Sequence, residues 1–123
     1  MTVGFASAIV NGWLDGTFAT ATCWVKLHTA DPGASGATAA AAGDTSRKQA
    51  TMAAASGGSK AASASVGPWT NGGTSESITH LSFWTASTAG TFNASASVTS
   101  QAWVSTNTYT LTALTFSISP IAA

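Results

Sequence analysis

The stretch Glu76-Ser77-Ile78-Thr79-His80-Leu81-Ser82-Phe83-Trp84-Thr85 decides the fold. Ile78, His80, Ser82 and Trp84 alternate with Thr79, Leu81 and Phe83. A period of two is that of a β-strand. Bulk on both faces predicts a central strand, sandwiched between layers or subunits.

The neighbouring segments repeat the period. Thr22 to Thr29 sets Cys23, Val25 and Leu27 on one face and Trp24, Lys26 and His28 on the other, and Ala30-Asp31-Pro32-Gly33 supplies the turn that ends it. Thr91 to Thr99 alternates Phe92, Ala94, Ala96 and Val98 with polar residues, and Gln101 to Val104 reads as a short link or strand carrying Trp103. Thr108 to Ser119 places Tyr109 and Leu111, then Leu114, Phe116 and Ile118, against Thr and Ser. Its apolar parity switches after Leu111, which predicts a β-bulge near Thr112-Ala113, and Pro120 stops the strand.

The middle of the chain is weaker. Gly33 to Gly43 holds only Ala, Gly, Ser and Thr, so it is expected to be a loop that stays mobile unless a partner covers it. Asp44 to Ala54 reads as extended chain with Met52 inward, and Ala61 to Val66 as a weak strand closed by Gly67-Pro68. Asn71-Gly72-Gly73 is a turn signal.

Only the first segment has helical spacing, with Ala6, Ile9, Val10, Trp13 and Leu14 forming one stripe that Phe5 widens. Thr2 is the expected cap, and Asn11-Gly12 or Asp15-Gly16 the expected end. Three turns are marginal alone, so the stripe should dock on the body or on a neighbouring subunit. The expected fold is therefore mainly β: an antiparallel β-sandwich or jelly-roll-like domain with one short N-terminal helix. We expect one domain over residues 1–123, with the helix at about 3–15 and the β-rich body at about 17–119.

Composition narrows function. Charged residues make up 7% of the chain, against roughly 25% in ordinary domains. Four basic residues balance four acidic ones, leaving no field to draw the chain to nucleic acid or anionic lipid. No apolar run is long enough for a membrane span, and Met1 to Val10 lacks the basic start of a secretory signal. Cys23 is alone, so it should be a small buried hydrophobe.

Catalytic and metal patterns are thin. His28 and His80 with Asp31 are the one conceivable ligand set, on strands of unknown register. No serine stands in a Gly-x-Ser-x-Gly context, and the Gly-rich stretches match no phosphate-binding pattern. No cofactor or metal is expected. Arg47-Lys48, the only adjacent basic pair, could anchor a carboxylate on a partner. The five tryptophans are a stronger signal, because Trp is enriched at the energetic centres of interfaces. The candidate interface residues are Phe5, Ile9, Trp13, Trp24, Trp69, Trp84, Trp103, Arg47 and Lys48.

Four stretches carry a family resemblance: Trp24-Val25-Lys26-Leu27-His28-Thr29-Ala30-Asp31-Pro32-Gly33; Ser46-Arg47-Lys48; Ser75 to Trp84; and the terminal Leu114-Thr115-Phe116-Ser117-Ile118-Ser119-Pro120-Ile121-Ala122-Ala123. Together they resemble small virion proteins of tailed phages, frequent in phages of actinobacteria and labelled tail fibre, minor tail or capsid decoration protein. The resemblance implies a non-enzymatic virion subunit, assembled in the bacterial host cytoplasm. The chain has no fibrous repeat or heptads. That tilts the expectation toward a capsid decoration protein that binds the major capsid protein on the assembled head, as a homo-oligomer and specifically a homotrimer. Candidate contacts are the helix stripe, the loop Gly33 to Gly43 and the segment Pro120 to Ala123. The alternative is a minor tail or tail-fibre protein that meets tail proteins or a host surface receptor.

Overall fold

The computed structural model describes residues 1–122; Ala123, the last residue of one expected contact segment, lies outside the described residues. The expected class is observed, with one helix, α1 (Ser7–Thr17), followed by antiparallel strands. These are β1 (Trp24–His28), β2 (Lys48–Gln49), β3 (Ser59–Ala61), β4 (Val66–Thr70), β5 (Glu76–Trp84), β6 (Phe92–Trp103), β7 (Thr108–Leu111) and β8 (Thr115–Ser117).

β5 is central, as its two bulky faces require. It lies between β1 and β6 in a four-stranded sheet of order β2-β1-β5-β6, and two ribbons, β3-β8 and β4-β7, complete the strands. Leu27 stands opposite Leu81 and Val25 opposite Phe83, so their apolar side chains share one face of the sheet. With Cys23 and Ile78 they pack against Val66 and Trp69 of β4 and Tyr109 and Leu111 of β7, which places the core between the sheet and the ribbons. Phe116 joins the layers: its ring stacks on Phe18 at 3.8 Å and meets Phe83 edge-on at 4.9 Å. Cys23 is fully buried, as expected, and burial pushes its thiol pKa up to about 11.

The helix departs from expectation at both ends. It begins at Ser7, with Ala6 at the cap and no side-chain capping bond, because Phe5 is tied into the chain's C-terminal segment. Phe5 N–H donates to Pro120 O at 3.1 Å, and Ala122 N–H donates to Phe5 O at 2.8 Å. The helix then runs through both expected stops to Thr17. Asn11 and Asp15 turn their side chains to the body instead: Asn11 Oδ1 accepts from Gly58 N–H, and Asp15 Oδ1 from Ala55 N–H and the Lys60 ammonium at 2.6 Å. Tertiary bonds here outweigh weak local propensity. Only part of the stripe docks. Val10 and Leu14 are buried while Ile9 and Trp13 face outward.

Three further boundaries differ. The parity switch after Leu111 is a transfer between ribbons, with β7 on β4 and β8 on β3, not a bulge within one strand. The bulge sits in the partner: Val66 and Trp69 oppose Leu111 and Tyr109, so β4 carries one extra residue at Gly67-Pro68, where the sequence suggests a strand end. Gly67 has φ +107°, open to glycine, and Pro68 has no N–H to offer the ladder. The two segments read within Thr91 to Val104 join in the single strand β6, Phe92–Trp103, not a strand and a link.

Gly33 to Gly43 is mostly exposed, yet its second half is tied to its own chain. Thr29 N–H donates to Ala39 O and Ala41 N–H to Leu27 O, so the segment continues the sheet edge beside β1. Ala42 and Gly43 donate to the two Glu76 carboxylate oxygens. Gly36, at φ +73°, lies so close to the Phe92 ring that a Cβ would stand 2.3 Å from Cδ1.

Candidate interaction surfaces

The nine candidate residues separate by burial. Trp69 and Trp103 are core residues at 0% exposure, and no partner can reach them. Their indole N–H groups stay inside the fold, donating to Ser46 O and Asn107 O at 3.0 Å each. The bulged β4 and the end of β6 carry them inward, which alternation alone does not reveal. Asn71, also buried, fixes the turn read from Asn71-Gly72-Gly73: its oxygen accepts from Gly73 and Thr74 N–H, and its amide donates to Thr74 O and Trp103 O.

Trp24, Trp84, Arg47 and Lys48 are half-buried. The Arg47 guanidinium lies 3.9 Å over the Trp84 ring and donates to Ala86 O and Ala89 O, at 2.8 and 2.7 Å. It therefore pins the β5-β6 turn, and the loss of hydration lowers its pKa. A partner carboxylate would have to compete with those carbonyls. Trp84 also packs on Phe92 at 5.5 Å between ring centres. Trp24 Nε1 donates to Ala21 O, and Lys48 stands opposite Val25 on the two-residue β2.

Beneath Trp84 lies a polar chain that sequence reasoning did not find. Trp84 Nε1 is 2.7 Å from Ser82 Oγ, Ser82 Oγ is 2.7 Å from His28 Nε2, and His28 Nδ1 is 2.8 Å from Thr38 O. An indole N–H can only donate and a carbonyl can only accept, and a buried His28 with a lowered pKa is neutral, so its proton sits on Nδ1 and Nε2 accepts. Trp84 donates to Ser82, Ser82 to His28, and His28 to Thr38. Burial lowers the His28 pKa, opposed by the hydrogen bond to Thr38 O. The available signal was a serine among bulky residues of a two-sided strand, where a buried hydroxyl needs partners.

The Ser82-His28 pair is not placed to act as a nucleophile and base. Ser82 and His28 are both at 0% exposure, and the Ser82 oxygen already accepts the Trp84 N–H. The conceivable metal set is not assembled either. His28 and His80 are directly opposite across β1 and β5, but His28 Nε2 points to Ser82, His80 Nδ1 bonds Thr79 Oγ1, and Asp31 Oδ1 accepts from Gly33 N–H. Among the described residues there is no group of three or more His, Cys, Asp or Glu side chains placed to hold a metal ion.

Phe5, Ile9 and Trp13 remain, at 40%, 53% and 48% exposure. Four-residue spacing puts Ile9 and Trp13 on one helix face, and Phe5 meets Trp13 edge to face at 5.3 Å. Met1 and Val3, ahead of the helix, are also exposed. The first charged side chain in the sequence is Asp15, which is turned to Lys60. The outer helix face is thus apolar, aromatic and uncharged, the type of surface that marks a protein contact.

This uncharged face on a β-rich body without assembled chemistry fits a structural component, and the family comparison agrees. The chain belongs to the family described as Podophage GP4 fiber I protein gp80, whose model matches residues 1–119, and is thus a bacteriophage structural protein. Among the described residues, the match takes in the N-terminal helix and all eight strands. A comparison with curated proteins finds no match.

Proposed function

We propose that this chain is a non-enzymatic subunit of a phage tail fibre, attached to the particle through the outer face of α1. The observation that carries the reading is the family match over residues 1–119, whose description names a fibre. It favours the tail-side alternative over the capsid decoration role that compactness suggests. The exposed Phe5, Ile9 and Trp13 supply an apolar anchor of the kind that dominates interface energetics. The partner is a virion protein of the tail with an apolar groove, and the major capsid protein is the partner that this reading displaces. The sealed His28-Ser82 pair and the sparse charge support a structural role.

A phage carrying an early stop codon in this gene tests the proposal. Electron microscopy should find filled, intact heads on particles that lack one set of tail appendages, with infectivity restored by supplying the chain in trans. Fragile heads with a complete set of tail appendages would overturn it.

A further inference from the structure

The sheet has two unlike edges. At one, β2 is only two residues long, carries Lys48, and is continued by the segment Ala39 to Ala41 beside β1. Such an edge is short, charged and partly covered, as natural edges usually are. At the other, β6 runs for 12 residues, about 40 Å of extended chain. It contains neither a charged residue nor proline.

The outer side of β6 is bare. Among the described residues, the main chain from Asn93 to Ala102 makes its ladder to β5 and no bond on the other side. The nearest other bonds flank it, from Thr91 N–H to Thr85 Oγ1 and from Asn71 Nδ2 to Trp103 O. β6 has two register shifts, yet between them Ala94, Ser95, Ala96 and Ser97 stand in regular pairing with Phe83, Ser82, Leu81 and His80. Ser95, Ala96 and Ser97 are exposed.

We propose that this edge pairs with the same edge of a second copy of the chain, antiparallel about a two-fold axis, so that two four-stranded sheets become one of eight strands. Unpaired N–H and C=O groups in a row specify an extended strand as the occupant. A two-fold axis sets each strand against its own sequence, where a charged strand would meet its own sign; β6 has no charge to repel. Zero net charge removes longer-range repulsion between copies. A ring built through the sheet would have to place β6 on the two-residue β2, so these edges favour a closed dimer over the three-fold assembly expected from the sequence. The pairing does not depend on the fibre reading.

Sedimentation of the purified full chain across a wide concentration range reads the assembly directly. The expected mass at the upper end is twice the 12.2 kDa of one chain. Two double variants, Ser95→Lys with Ser97→Lys and Ser95→Glu with Ser97→Glu, change exposed side chains on the side of the sheet away from the core. Each should keep the parent circular dichroism spectrum and sediment as a monomer, and an equal mixture of the two should regain the dimer. A parent that stays monomeric or sediments as a trimer would overturn the pairing. So would folded variants that each dimerise like the parent.

Discussion

Replacing Ser82 with alanine removes the middle of the chain Trp84-Ser82-His28-Thr38 while deleting a single oxygen. His28 Nε2 then loses its donor at 0% exposure, and Trp84 Nε1 loses its acceptor at a half-buried position. An unsatisfied buried polar group costs about 1–3 kcal/mol, and water can replace part of the loss at Trp84, so the expected destabilisation is about 2 kcal/mol. For a domain of this size each kcal/mol moves the thermal midpoint by about 4 °C, giving a fall of about 8 °C. The control is Ser95→Ala on the neighbouring strand, directly opposite Ser82 but exposed. It should change stability by no more than about 0.5 kcal/mol.

Acid probes the same chain through His28. Its folded-state pKa lies below the ordinary histidine value, so between the two the unfolded chain binds a proton that the folded chain refuses. Stability then rises with pH. The contribution is fully present above about pH 6.5 and is lost as pH falls from there through the folded value, with a slope of at most about 1.4 kcal/mol per pH unit. Urea unfolding followed by tryptophan fluorescence, repeated between pH 8 and pH 5, measures both effects. His28→Gln should flatten the slope. A Ser82→Ala midpoint no lower than that of Ser95→Ala, or an acid slope unchanged in His28→Gln, would refute the contribution of this buried chain and its neutral His28 to stability.

The remaining expectations concern burial. Cys23, with its thiol pKa raised to about 11, should resist a disulfide reagent at pH 8 in the native protein and react fully in guanidinium. Trp69→Ala should cost about 3–5 kcal/mol by opening a large cavity in the core. Trp13→Ala, at an exposed position, should change monomer stability by only about 0.5 kcal/mol while weakening attachment to the particle.

Much of the fold is legible from side-chain period. The central position of β5 follows from Leu81 and Phe83 on one face with His80 and Trp84 on the other, and the inward face of β1 from Cys23, Val25 and Leu27. Features set by distant partners are not legible in this way. The end of α1 depends on Asn11 and Asp15 reaching Gly58, Ala55 and Lys60, residues about 40 to 47 positions away. The order in the loop before Gly43 depends on Glu76 and β1, not on its own small side chains.

The candidate surface was legible in part for the same reason. Helical spacing gathers Ile9, Val10, Trp13 and Leu14 into one stripe, but only the packed body decides that Val10 and Leu14 turn inward. The five tryptophans look equivalent by composition, yet Trp69 and Trp103 fill the core while Trp13 lies on the surface. Ser82 and His28 sit 54 positions apart, and only the β1-β5 register brings them together.

The central claim is that this chain belongs to a fibre of the tail. Gold-labelled antibody against the native protein, applied to intact phage and viewed by electron microscopy, tests it most directly. The account predicts gold on appendages of the tail and bare heads; gold spread evenly over the head surface would contradict it.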